Sequence, residues 1–192
     1  MDRVVQLQHA RIAELGHARV TPPRPRQPQP INTLRGVVVP LVPLVDIEGI
    51  TLVLITVEIW TNDVQLRAAA VQTSETDRRD AQHEQALRAW IQRNQGQPRP
   101  HRPRLEHPPL SPATQWLGDL RPVLNDDVGT DYEVRTRGSG GTGTEWHWDA
   151  TMRPGTPAEA TVLGVQLADG GGTILTDLKL DLVTQLQTPT GW

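Results

Sequence analysis

The chain of 192 residues carries a formal charge of −3, with 36% hydrophobic residues, 17 prolines, 16 glycines, six tryptophans, one tyrosine and neither phenylalanine nor cysteine. The missing cysteines exclude disulfide scaffolds and thiolate metal sites. Every long apolar stretch is interrupted by proline or acid well short of the roughly 20 residues that a helical membrane span needs. One domain with extensions fits this length, and the proline and glycine content leaves part of the chain outside a core. Without phenylalanine, Val, Leu, Ile and Trp must fill the interior, which favours strands.

The charge is divided along the chain. Residues 1–35 carry six arginines against Asp2 and Glu14, a balance of +4, and residues 76–107 carry +3. Residues 36–75 carry −4 and residues 115–182 carry −6, so basic arms flank an acidic body.

Residues 1–35 read as a short helix from Arg3 to Leu15, capped by Asp2 and stopped at Gly16, then an arm. Thr21 to Pro30 reads Thr-Pro-Pro-Arg-Pro-Arg-Gln-Pro-Gln-Pro, which biases the backbone to polyproline II. Its neighbourhood supplies Arg19, Arg24, Arg26 and Arg35 as candidate partner-binding residues. The first 20 residues hold five charged groups and no uninterrupted apolar run of signal-peptide length. Cytoplasmic residence is therefore expected, with export by another route left open.

A body over 36–182 follows. Val37 to Val45 contains Pro40 and Pro43, which suits only an edge strand. Ile50 to Trp60 is apolar on both faces, with Val53, Ile55, Val57 and Ile59 expected opposite Leu52, Leu54 and Trp60, and is the expected most buried strand. Glu58 within it either meets solvent at the strand end or pairs with an arginine. Thr61-Asn62-Asp63 turns the chain into a strand from Val64 to Val71.

An insertion over 76–114 breaks the strand pattern. Thr76 is placed to cap a helix from Asp77 to about Gln95, with Leu87, Trp90 and Ile91 as its small apolar face. Prolines from 98 to 112 then specify an extended loop, and Trp116 to Leu124 re-enters as a short strand. After the turn Asp126-Asp127-Val128-Gly129-Thr130-Asp131-Tyr132 and the glycine run 138–143, residues of one type recur every second position. Trp146, Trp148, Ala150 and Met152 share one face, and Glu145, His147, Asp149 and Thr151 share the other, as in a half-buried antiparallel strand. Leu163, Val165 and Leu167 alternate likewise, Gly170 to Gly172 turn the chain, and Ile174, Leu178, Leu180 and Leu182 are expected on one side. Residues 183–192 form a tail.

The fold expected is mainly β: an antiparallel two-sheet sandwich of about eight strands, immunoglobulin-like, with a helical and proline-rich arm and one helical insertion. The Asp126 to Tyr132 turn, the glycine run and Glu145-Trp146 resemble a pattern of uncharacterised actinobacterial proteins. More distantly they are similar to immunoglobulin-like accessory domains with an Asp-x-Gly-x-Tyr turn. That resemblance covers roughly residues 36 to 182 and implies a fold without a chemistry.

Chemistry is sparse. Asp126, Asp127 and Asp131 crowd carboxylates as a calcium site does, but their spacing fails the EF-hand loop, and Asx turns use the same residues. Glu145, His147 and Asp149 share a strand face and are candidate metal ligands, against the simpler reading of a wet face. The glycine run lies between strands and contains no lysine, so a hairpin tip is expected instead of a phosphate loop. No nucleophile–base or paired-carboxylate motif appears. No cofactor is expected. The arginines are not interleaved with aromatics as a nucleic-acid surface requires. A non-enzymatic structural or assembly protein is therefore expected, with self-association through the arm. A ligand- or metal-binding sensor and a hydrolase with an unrecognised site stand as alternatives.

Overall fold

The structure is a computed structural model and describes residues 31–94, 107–141 and 145–188. The expected helix at 3–15, the polyproline arm, Arg19, Arg24 and Arg26, and most of the proline loop lie outside the described residues. Nine strands and three helices are found within them. The fold is mainly β, with two antiparallel sheets.

The larger sheet is centred on β3, Ile50–Trp60, which pairs on one side with β4, Val64–Ala70. On its other side β1, Leu34–Val38, takes the Val57–Trp60 end and β2, Val42–Ile47, takes the Ile50–Leu54 end. β1 and β2 are thus one edge in two pieces, interrupted around Pro40. This is where a chain with prolines in an apolar run has to go, since proline cannot donate to a central ladder. β4 pairs onward with β7, His147–Arg153, and β7 with β6, Glu133–Gly140. The smaller sheet runs β5, Arg121–Asp126, then β8, Val162–Ala168, then β9, Ile174–Asp181. Gly170 to Gly172 close the β8–β9 hairpin, with Gly172 at φ 88° and the Thr173 amide bonded to Asp169 Oδ1 at 2.8 Å.

One core cluster draws on both sheets. Trp146, Trp148, Ala150 and Met152 are each about 1% exposed, in one cluster with Leu66 and Ala68 of the neighbouring strand β4 and Leu163, Val165 and Leu167 of β8. The period-two alternation of β7 holds along its length, with His147 and Asp149 exposed. Backbones also approach closely. Gly155 lies against Trp60 and Thr61, where a Cβ would stand 2.5 Å from the Trp60 carbonyl oxygen.

Bulges overturn two expected faces. In β3 the register with β4 slips between Leu54 and Thr56. Leu52 and Leu54 therefore share the buried face with Val57 and Ile59, not with Trp60. In β9 the register slips between Thr176 and Ile174, so Leu175 packs on the core while Ile174 is 49% exposed. An extra residue on one strand exchanges the two faces beyond it.

Helix α1, Ser74–Asn94, begins earlier than expected because Thr73, not Thr76, caps it. The Thr76 amide is bonded to Thr73 Oγ1 at 3.3 Å, and the Thr73 amide to Thr76 Oγ1 at 2.9 Å, a reciprocal cap. Its expected apolar face at Leu87, Trp90 and Ile91 stays partly exposed, with Ile91 at 38%. The expected strand over Trp116–Leu124 is a correction in two parts: α2 occupies Pro112–Leu117 and β5 starts at Arg121. Ser111 caps α2 by accepting from the Thr114 amide, and Pro112 fills its first turn.

Residues placed in the tail also join the fold. Helix α3 spans Leu182–Gln185 with Asp181 as its cap, and Gln187 bridges to Val37. Leu186 packs over Gly36, where a Cβ would lie 2.6 Å from the leucine side chain. No described helix is long and apolar enough to cross a membrane.

Replacing Trp146 by alanine empties one of the two fully buried indoles and should lower the unfolding free energy by about 3–5 kcal/mol. Urea unfolding followed by circular dichroism checks this. A change within about 0.5 kcal/mol, as at a surface position, would contradict the burial described.

Candidate functional site

The sheet register brings three rows of side chains onto the outer face of β4 and β7. Gln65 stands opposite Thr151, Arg67 opposite Asp149, and Ala69 opposite His147. On the next strand Gly140 faces His147 and Gly138 faces Asp149, so both side chains lie against a strand with no Cβ beneath them. Between Arg67 and Asp149 a depression of about 380 Å³ opens, bordered by Gln65, Thr151 and His147. Glu58 is the neighbour that sequence reading left open. Its carboxylate is 17% exposed, holds Arg67 Nε at 3.2 Å and accepts from Trp60 Nε1 at 3.2 Å, so the arginine-paired alternative is the one found.

The acidic turn spends its carboxylates on the backbone. Asp126 Oδ1 accepts from the Val128 and Thr130 amides at 3.2 and 2.9 Å, and Oδ2 accepts from the Tyr132 hydroxyl at 2.8 Å. Asp127 accepts from the Thr161 amide and hydroxyl and from the Val162 amide, tying the turn to the start of β8. Asp131 is exposed and Gly129 takes φ 82°. Burial opposes ionisation of Asp126, but bonds from Thr130, Tyr132 and Val128 outweigh it and hold its carboxyl below the ordinary range. The Thr161 hydroxyl, with the Thr161 and Val162 amides, does the same for Asp127. Burial, together with the Asp126 charge, pushes Tyr132 up to about 12.

A second polar anchor lies where α1 meets the sheets. Trp146 Nε1 donates to both carboxylate oxygens of Asp80 at 3.1 Å. The neighbouring Arg79 lies over the Trp116 ring, 3.6 Å from its centroid, and bonds Glu75 and Glu48. The Arg78 bond to Glu75, with Arg79 alongside, brings the Glu75 carboxyl down to about 2. Arg35, read with the arm, is held within the fold, its guanidinium donating to the Thr156 carbonyl.

At the margin of both sheets, β2 and β9 leave an open groove of about 610 Å³. Pro43, Val45, Ile47 and Leu175 give it an apolar lining, and Asp46 and Glu48 an acidic one. Glu48 Oε2 meets Arg79 at 3.1 Å while the side chain stays 67% exposed. Leu41, at the entry to β2, has φ 50° and is 61% exposed, and Glu48, at its exit, has φ 51°.

Of the expected site residues, His147 and Asp149 share the open face and Glu145 is exposed just before β7. No group of three or more histidines and carboxylates disposed to hold a metal occurs among the described residues. Sequence reading missed Arg67, Gln65 and Asp80. The alternation of Gln65, Arg67 and Ala69 against buried Leu66 and Ala68 marks their face, but nothing local to it identifies β7 as the neighbour. The glycine run is also corrected in part: among the described residues Gly138 and Gly140 belong to β6, and Gly141, with φ 103°, lies just beyond it.

No family model matches the chain, and no curated protein matches it. Among solved structures, the crystal structure of a conserved domain protein from Bacillus anthracis is similar at 17% identity and a TM-score of 0.37, over 79% of this chain and 48% of that one. The chain thus spans about half the length of that protein.

The lowered carboxyls at Asp126 and Asp127 make a signed prediction. A folded value below the unfolded one, ordinarily about 3.9, gives stability that is present above that pH and is lost as pH falls through the folded value. Asp126→Asn should destabilise the protein near neutrality and flatten the acid limb of its stability curve, measured by thermal unfolding between about pH 2 and 6. Superimposable acid limbs for the two proteins would contradict the turn's bonding.

Proposed function

We propose that the chain is a non-enzymatic two-sheet sandwich with immunoglobulin-like topology that works through protein–protein contacts, as a structural or assembly component. A single core drawing on both sheets supports the sandwich. The lowered carboxyls are engaged by backbone amides, hydroxyls and arginines of the fold itself, which supports a structural use of them over an acid–base one.

The groove between β2 and β9 carries the contact reading. It combines an apolar lining with acidic groups at a sheet edge, where added segments dock readily. A leucine at positive φ costs about 1–3 kcal/mol of strain, and exposure leaves that cost unrecovered in the isolated chain. A partner that extends from the groove past Pro43 would cover the exposed Leu41 side chain. The partner chemistry that fits is basic and proline-rich. Proline rings pack on the apolar lining, arginine forks reach Glu48 Oε1, and a polyproline backbone loses little freedom on binding. Thr21–Pro30 of another copy, with Arg19 just before it, has this composition. Ten residues at about 3.1 Å each span roughly 31 Å, enough to reach a neighbour.

Light scattering of the full chain and of a chain lacking residues 1–30 tests this. The deletion spares Asn32 and Thr33, which bond Asp63 and Thr61. The full chain should assemble at low salt and dissociate as screening tightens, while the shortened chain stays folded and smaller. Leu41→Asn should raise stability, since asparagine tolerates positive φ, and weaken assembly. If both chains are monomers at every salt and concentration, the self-assembly reading is wrong.

A further inference from the structure

The depression between β4 and β7 has walls of opposite charge that do not neutralise each other. Arg67 and Asp149 stand directly opposite in register, where such side chains on an antiparallel pair ordinarily meet. Here they lean apart. Arg67 turns toward β3 and gives its Nε to Glu58 at 3.2 Å. Asp149 turns toward β6 and lies over Gly138, where a Cβ would stand 3.0 Å from Oδ1. The glycine is what leaves room for that turn. Among the described residues the Asp149 carboxylate makes no hydrogen bond or ion pair, and the Glu58 contact leaves both terminal nitrogens of Arg67 open. Gln65 and Thr151 add amide and hydroxyl groups at one end, and His147 an imidazole at the other.

We propose that this slot binds a small zwitterion, a free α-amino acid, with its carboxylate on the open nitrogens of Arg67 and its ammonium on Asp149. Charge complementarity selects this class. A simple anion is drawn to the open nitrogens of Arg67 but meets Glu58 and Asp149, a simple cation on Asp149 leaves those nitrogens unpaired, and a molecule carrying both signs a few ångströms apart satisfies both walls. The guanidinium fork suits a carboxylate. The volume of about 380 Å³ lies at the small end of ligand pockets, which run from about 300 to 1,000 Å³. With Arg67 61% exposed, solvent screens each contact, so the affinity is modest. This site is separate from the groove between β2 and β9 and stands or falls independently of it.

The test is an amide chemical-shift titration of the full chain with each protein amino acid in turn, with acetate and methylammonium as single-charge controls. At least one amino acid should give saturable shifts at Arg67, Gly138 and Asp149, with both controls about tenfold weaker or more, equivalent to 1.4 kcal/mol. Arg67→Gln and Asp149→Asn should each abolish saturation while leaving circular dichroism unchanged. Four results would overturn the proposal: no amino acid saturating, either control binding as well as the amino acids, shifts confined to other residues, or binding that survives either substitution.

Discussion

Trp146 has to be dry over its rings and bonded at its nitrogen, and the rest of the molecule is arranged around meeting both demands. The ring is about 1% exposed within the core cluster, and an indole N–H buried there without an acceptor would cost about 1–3 kcal/mol. Asp80 supplies the acceptor from the first half of α1, with both oxygens 3.1 Å away. That bond fixes the helix on the sheet end. The residue before it in the helix, Arg79, lies over Trp116 and so locates α2 as well. The Trp146 carbonyl accepts from the Ala70 amide at 2.9 Å, which continues the β4 ladder past the end of β7.

From Trp146 onward, β7 divides its side chains strictly between two environments. The inward set closes the core against β8, and the outward set is free of packing duty. Glycine at 138 and 140 on the neighbouring strand keeps the outward set low and open. The same separation operates at the far margin, where β2 buries Leu44 and leaves Pro43 outward beside Leu175 of β9. The packed core and the open depressions thus occupy opposite faces of the same strands. Changes on the outer face are therefore expected to be mild for stability, as surface substitutions usually are.

Much of the fold was legible because β7, β8 and the β3–β4 hairpin state their alternation or turn chemistry locally. Pro40 and Pro43 likewise announced an edge. What stayed hidden depends on neighbours that a local reading does not identify. The bulges at Ile55 and Leu175 arise from how β3 and β9 register with their partners, so the sequence pattern continued smoothly through both. The start of α2 was readable at Ser111-Pro112, a cap and first-turn pair, but was masked by the apolar run behind it. His147 and Asp149 could be placed on a face from their spacing. Arg67 could not be joined to them, because β4 and β7 are separated in sequence, among the described residues, by two helices and two strands. The carboxylates of Asp126 and Asp127 were read as a turn, and the bonds to Thr130, Tyr132 and Thr161 show which groups they hold.

The dependence of this arrangement on one indole bond is tested most directly by a double-mutant cycle on stability. Trp146→Phe keeps an aromatic ring in the core and removes the N–H, and Asp80→Ala removes the acceptor. Denaturant unfolding of the parent, the two single variants and the double variant should give a coupling of about 1.5–3 kcal/mol, in the range of a hydrogen bond to a charged group. Losses that add within about 0.3–0.5 kcal/mol, as independent sites do, would show that Asp80 does not hold Trp146 and that α1 is fixed to the sheets by something else.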